Sequence, residues 1–225
     1  FGLIFKPQEN MSLYLSYSES FLPKSGDQYK AWSLVNNVVV DPDVFENTEL
    51  GFKYNSEAGV NLSIAYFDSE TEKVQADGVG FAEEIAFEIS GIELTVGGQI
   101  NDKNSISASL SSVDAENASG GDQKEIPELT WSLWYTHQAN DMFGFSVGAV
   151  YQDEQWINST AAGSPKLPDY TRVDMAMAIT PNESDTIRIN IENLLDEDYY
   201  PYSHSTHQVT VGEPANVRVS YNKRF

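Results

Sequence analysis

Apolar and polar residues alternate with a period of two, in segments of about ten residues, along most of this sequence, and few folds can accommodate that pattern. Met11, Leu13, Leu15 and Tyr17 fall on one side of an extended chain and Ser12, Tyr14, Ser16 and Ser18 on the other. The same reading holds for Val60, Leu62, Ile64 and Tyr66, and for Ile106, Ala108 and Leu110. It holds again for Phe143, Phe145, Val147, Ala149 and Tyr151, for Ile187, Ile189 and Ile191, and for Val217, Val219 and Tyr221. The pattern predicts an all-β chain with strands over 11–20, 45–54, 59–70, 85–100, 105–113, 127–138, 143–153, 169–180, 185–193 and 215–225, after a stub at 2–6.

The connections constrain the fold further. Short turns at 7–10, 55–58, 101–104, 139–141 and 181–184 are built from residues that favour tight turns. Between them lie long connections, roughly 22–44, 71–84, 114–126, 154–168 and 195–214. Strict alternation of short and long places every long connection at one end of the sheet. A sandwich has no reason to do this, whereas a transmembrane antiparallel β-barrel does. Aromatic residues near strand ends, Tyr14, Phe52, Tyr54, Trp131, Tyr135, Phe143, Tyr170 and Tyr221, suit the interface girdles of such a barrel.

Composition removes several alternatives. No apolar run approaches the roughly 18 residues of a membrane-spanning helix, and a mean hydropathy of −0.38 reads as soluble. Alternating strands nevertheless hide half their apolar residues from such an average. Thirty-four acidic residues against 13 basic ones give a net charge of −21, which argues against nucleic acid and fits a solvated, salt-adapted surface. With no cysteine there is no disulfide scaffold and no thiolate metal site. The opening Phe1-Gly2-Leu3, without Met or a charged-then-apolar leader, reads as an internal start. An odd count of about eleven strands and two open edges are untenable in lipid, so further strands are expected to complete the barrel.

Several segments carry a more specific signal. They are Ser16-Tyr17-Ser18-Glu19-Ser20-Phe21-Leu22-Pro23 with Ser25-Gly26-Asp27, Phe45-Glu46-Asn47-Thr48-Glu49-Leu50-Gly51-Phe52-Lys53, and Ser90-Gly91-Ile92-Glu93-Leu94. Further on come Leu167-Pro168-Asp169-Tyr170-Thr171-Arg172-Val173-Asp174 and Ile191-Glu192-Asn193-Leu194-Leu195-Asp196-Glu197-Asp198-Tyr199-Tyr200-Pro201, then Gly212-Glu213-Pro214 and a terminal Phe225. In this order they resemble TonB-dependent siderophore receptors, most closely the catecholate type. The resemblance implies that residues 1–225 are the C-terminal half of a 22-stranded barrel in the bacterial outer membrane, about 10–11 strands, with the plug domain absent from this sequence. It further implies a ferric siderophore as ligand and the TonB complex as energy source, contacted through a missing N-terminal region. Outer-membrane lipid and lipopolysaccharide would surround the wall, and Phe225 would be read by the barrel-assembly machinery. The last strand departs from the family pattern at Ala215 and at Lys223, where an outward apolar residue is usual.

No catalytic constellation is visible, so no enzyme activity, no cofactor and no resident metal is expected. Glu83-Glu84 and Asp196-Glu197-Asp198 read as solvated charges in a chain this acidic. For ligand binding the candidates are the aromatics of the long connections, Tyr29, Trp32, Phe81, Trp156, Tyr200 and Tyr202, because flat rings stack on ferric chelates at little entropic cost. Each could equally pack against its own loop. His204 and His207 stand three apart in the last connection; they could border the ligand, but a metal site would lack a third donor nearby. Basic residues to meet an anionic chelate are few: Lys24, Lys30, Lys73, Lys124 and Lys166. Arg172, Asp174, Arg188, Asn190 and Glu192 read as a lumen-side polar ladder against the plug. The rivals are a receptor for haem, cobalamin or a carbohydrate, or a passive porin or structural outer-membrane protein.

Overall fold

The computed structural model describes residues 1–23, 42–76, 82–117, 120–157 and 163–225. Eleven strands form one antiparallel sheet: β1 (Gly2–Gln8), β2 (Met11–Leu22), β3 (Asp43–Asn55), β4 (Val60–Ala76), β5 (Ala82–Asn101), β6 (Asn104–Asn117), β7 (Leu129–Gln138), β8 (Phe143–Gln152), β11 (Tyr170–Ile179), β12 (Asp185–Glu192) and β15 (Asn216–Lys223). Each strand pairs with its sequence neighbours in the sheet, as expected for an up-and-down barrel wall. Two small hairpins interrupt the last two long connections, β9 (Gln155–Trp156) with β10 (Lys166–Leu167), and β13 (Ser203–Ser205) with β14 (Gln208–Val209). Both lie where the sequence pattern indicated only loop.

Register decides which side chains share a face. Leu13, Phe52, Ile64, Leu94, Leu110, Trp131 and Tyr151 lie in one cross-strand row. Tyr135, Val147, Met175, Ile191 and Val217 continue that face around the sheet. These residues are half-buried to open, with Leu13 42%, Val147 41% and Val217 64% exposed. An apolar face this continuous is incompatible with water and matches the lipid band of a transmembrane barrel. The other face is small and polar. Tyr14 donates to the Glu49 carboxylate under the Lys53 ammonium, Ser69 donates to Asn47 at 2.7 Å, and the Ser109–Ser132 and Thr136–Ser146 hydroxyl pairs each span 2.8 Å. Tyr14 and Tyr170, read from sequence as girdle residues, belong instead to this polar face; a hydroxyl finds its partner there and not in lipid.

β4 has 17 residues and β5 has 20, well beyond the roughly 9–11 that cross a bilayer and beyond the expected 59–70 and 85–100. The alternation does not stop where it appears to; its phase inverts. On the face that is apolar below, Tyr17, Thr48, Asp68, Ser90 and Asp114 form one row, and Glu19, Glu46, Glu70, Glu88 and Glu116 the next. At the same height the opposite face carries Phe45, Phe67, Phe87, Ile89 and Val113. A count of apolar residues at fixed phase therefore ends each strand too early. The inversion marks where the wall leaves hydrocarbon, since five opposed carboxylates repel one another and are tolerable only in a high dielectric.

At the short-turn end β5 carries an irregularity between Gln99 and Asn101. Gly98 just before it has φ +141°, and a Cβ there would overlap the Gly59 carbonyl oxygen. Gly98→Ala in the complete receptor is expected to cost about 1–3 kcal/mol through overpacking. The denaturant midpoint of the refolded barrel measures this, and an unchanged midpoint would show that the turn relaxes freely.

Candidate functional site

The candidate residues that the structure describes sit at the end of the sheet that bears the long connections. Tyr29, Trp32 and Phe81 lie outside the described residues. Trp156 is placed, and it is not a bare platform. Its indole N–H donates to Asp122 Oδ2 at 3.0 Å, its carbonyl accepts from Glu125 N–H at 2.8 Å, and the Lys166 ammonium stands 4.2 Å from its ring centroid. Lys166 is held in turn by Glu154 Oε1 at 2.7 Å. That hydrogen bond raises the lysine above its ordinary pKa, so the group stays cationic. The β9–β10 hairpin and the segment around Asp122 are thus stapled together, and one face of the Trp156 ring is already covered.

The last connection, between β12 and β15, is the best-defined part of the mouth. Asn193 is 1% exposed and sits in the left-handed region at φ +52°, which Asn adopts more readily than most residues. Its side-chain nitrogen donates to the carbonyls of Glu197 (2.8 Å) and Glu213 (3.1 Å), and its side-chain oxygen accepts from Glu197 N–H (2.9 Å). Its backbone N–H donates to Asp174 Oδ1 at 2.8 Å. The other Asp174 oxygen accepts two hydrogen bonds from Arg172, at 3.2 and 2.8 Å, and Arg172 also reaches the Tyr199 hydroxyl at 3.2 Å. The Tyr199 ring lies 4.8 Å from that of Tyr170 and packs so closely on Gly212 that any Cβ there would collide with it. Gln152 and Gln155 both donate to the Pro201 carbonyl, and Asp196 accepts from Ala215 N–H. Arg172 and Asp174 are therefore taken up by the last connection, where sequence reading had them facing a plug.

This frame carries the remaining candidates outward. Tyr200 is half-buried, Tyr202 is 63% exposed, and His204 and His207 are exposed on the β13–β14 hairpin, where the Ser205 hydroxyl lies 2.8 Å from His207 Nδ1. The structure brings Tyr202, His204 and His207 together on one hairpin and places Trp156 on another. Among the described residues no group of three or more His, Asp or Glu side chains is arranged to hold a metal. Sequence reasoning missed the cluster of Arg172, Asp174, Asn193 and Tyr199. Its signal was Asn193 followed by Asp196, two residues suited to positive φ and to capping, in a segment read only as a landmark. On the polar face near the short turns an open hollow of about 640 Å³ is lined by Lys53, Asn61, Ser63, Thr95, Ser107 and Ser109.

Comparison with known proteins gives this geometry a context. The chain is 28% identical over its full length to the probable TonB-dependent siderophore receptor PiuA of Acinetobacter baumannii, covering 33% of that protein. It is 24% identical to the probable TonB-dependent receptor BfrD of Bordetella pertussis, again over 100% of this chain and 33% of the relative. The crystal structure of the A. baumannii siderophore receptor PiuA superposes with a TM-score of 0.81 at 27% identity, over 99% of this chain and 35% of that one. The ferric-catecholate import receptor Fiu of E. coli superposes with a TM-score of 0.83 at 22% identity, over 100% of this chain and 34% of that one, a likeness of fold. The chain thus spans about a third of the length of these relatives. With residues 1–194 matched by the family model described as TonB dependent receptor-like, beta-barrel, this chain belongs to that family of outer-membrane barrels.

Proposed function

We propose that this chain forms part of the wall and outer mouth of a receptor that binds a ferric siderophore and imports it with TonB-derived energy. The observation that carries the reading is the arm between β12 and β15, which leaves Tyr202, His204 and His207 exposed at the long-connection end. Its support from relatives is the full-length match to a probable siderophore receptor. In this reading residues 1–225 are the C-terminal portion of the barrel domain and the molecule is a transporter, not an enzyme. A plug from outside these residues would sit against the polar face, including the hollow at Lys53, and TonB would engage a region outside them. Lipid and lipopolysaccharide meet the apolar face, and Phe225, fully exposed, serves as the assembly signal.

Aromatic stacking is the proposed mode of capture, by Trp156, Tyr200 and Tyr202 together with Tyr29, Trp32 and Phe81. Replacing Trp32, Trp156 or Tyr202 by Ala in the complete receptor is expected to weaken binding of the ferric complex several-fold, since a stacked ring contributes about 0.5–1.5 kcal/mol beyond its buried area. Direct binding and siderophore-dependent growth measure it. Wild-type binding by all three variants would move recognition to the plug and the rest of the barrel. The exposed pair His204 and His207 favours haem as the second ligand class, because an exposed imidazole such as that of His204 can take an axial position. A Soret band that forms on adding haem and vanishes in His204→Ala/His207→Ala would establish it.

A further inference from the structure

We infer that the segment from Asn193 to Asn216 is a preformed arm of the mouth, and that Asn193 and Arg172 are the residues that position it. For its ligand this rests on the siderophore reading above; for its rigidity it does not. A connection of this length, tied only at its ends, would be expected to sample many conformations. Here the tie is internal. Asn193 uses both side-chain N–H groups and its oxygen to join the two sides of the connection, at Glu197 and at Glu213, and it does so at 1% exposure. Its backbone is then fixed to β11 through Asp174, which is 4% exposed and which Arg172 grips with two hydrogen bonds. The third Arg172 contact, to the Tyr199 hydroxyl, returns to the arm, and Tyr199, 7% exposed, fills the space over Gly212. Two glutamines of β8 and β9 add a separate anchor at Pro201. Every buried side-chain nitrogen and oxygen in this network has a hydrogen-bond partner. Such networks are costly to open part-way, because each broken bond strands a partner in a low dielectric.

The consequence is a division of labour. Tyr202, His204 and His207 project from a fixed support, so a ligand meets them without first ordering the segment that bears them. Asn193 and Arg172 never touch that ligand; they act through the hairpin.

The test uses the complete receptor with a nitroxide on Thr206→Cys, at the exposed tip of the arm, and measures its mobility by electron paramagnetic resonance. The wild-type arm, with no ligand present, is expected to give an immobilised label; a ferric catecholate and a ferric hydroxamate serve as probes for the affinity measurements only. Asn193→Ala is expected to mobilise it. If that variant does not assemble, Asn193→Asp, which keeps the acceptor for Glu197 N–H and loses both donors, is expected to do the same. A label already mobile in the wild type, or one unmoved by either substitution, overturns the inference. For whichever probe binds, Asn193→Ala is expected to weaken affinity about tenfold. That loss is expected to disappear once Tyr202, His204 and His207 are all Ala, because the positioning then has nothing to act through. A loss that persists in that background overturns the positioning role. Binding of neither probe would speak against the siderophore reading, and label mobility alone would then decide for or against the arm.

Discussion

Replacing Val147 with Arg in the complete receptor is expected to cost the barrel about 2–4 kcal/mol, the penalty for a cation at the lipid-facing midplane, and to lower its outer-membrane level sharply. Glu70→Arg, in contrast, is expected to leave both unchanged or slightly improved. Val147 sits midway along β8 with Tyr135 and Met175 as cross-strand neighbours and is 41% exposed on a face with no charge nearby. Nothing there can pair with a guanidinium, and hydrocarbon cannot solvate it. Glu70 lies on the same geometric face but above the phase inversion, between Glu46 and Glu88. An arginine at that position would relieve like-charge repulsion across two strand pairs. The comparison therefore tests where the membrane ends as well as which face it touches. The measurements are outer-membrane abundance and denaturant unfolding of the receptor refolded into vesicles. Equal tolerance at both positions would mean that the face meets water at Val147, not lipid.

The same inversion explains how far the sequence could be read. Within the bilayer band one rule operates, apolar out and small polar in, so segments such as 143–153 and 185–193 were placed to within about a residue or two. Above the band the solvent on the outer face changes from hydrocarbon to water. Asp68, Glu70, Glu88 and Glu116 then occupy positions that fixed-phase reading assigns to apolar residues, so β4 and β5 run further than expected. Tyr14 differs for a related reason: its aromatic ring suggests an interface, but its parity in β2 and its hydrogen bond to Glu49, diagonally placed on β3, put it on the polar face. The site was legible only as composition. That Tyr202 and His204 occur in a long connection can be read from the chain. That Asn193 knots this connection to Asp174 and Arg172, 19 and 21 residues earlier in the sequence, depends on the β11–β12 register, which no local pattern encodes.

Asp174→Ala is expected to lower the stability of the complete receptor by about 3 kcal/mol, the second-largest effect anticipated here. The carboxylate is 4% exposed and has both oxygens committed, one to Asn193 N–H and the other to the Arg172 guanidinium. Removing it strands two groups of different kinds. The Asn193 N–H loses its acceptor at a buried position, which costs about 1–3 kcal/mol. The Arg172 side chain loses its counter-ion, but at 30% exposure it recovers part of its solvation, so the full penalty of an uncompensated buried charge does not apply. Asp174→Asn separates the two contributions, because an amide oxygen still accepts from Asn193 N–H while the charge is gone. Its cost is expected to fall near half that of Asp174→Ala. Heat-modified mobility on gels and urea midpoints of the refolded receptor read both variants. If Asp174→Asn proves as damaging as Asp174→Ala, the ion pair is the dominant part of the joint. If it matches the wild type, the hydrogen bond to Asn193 accounts for all of it.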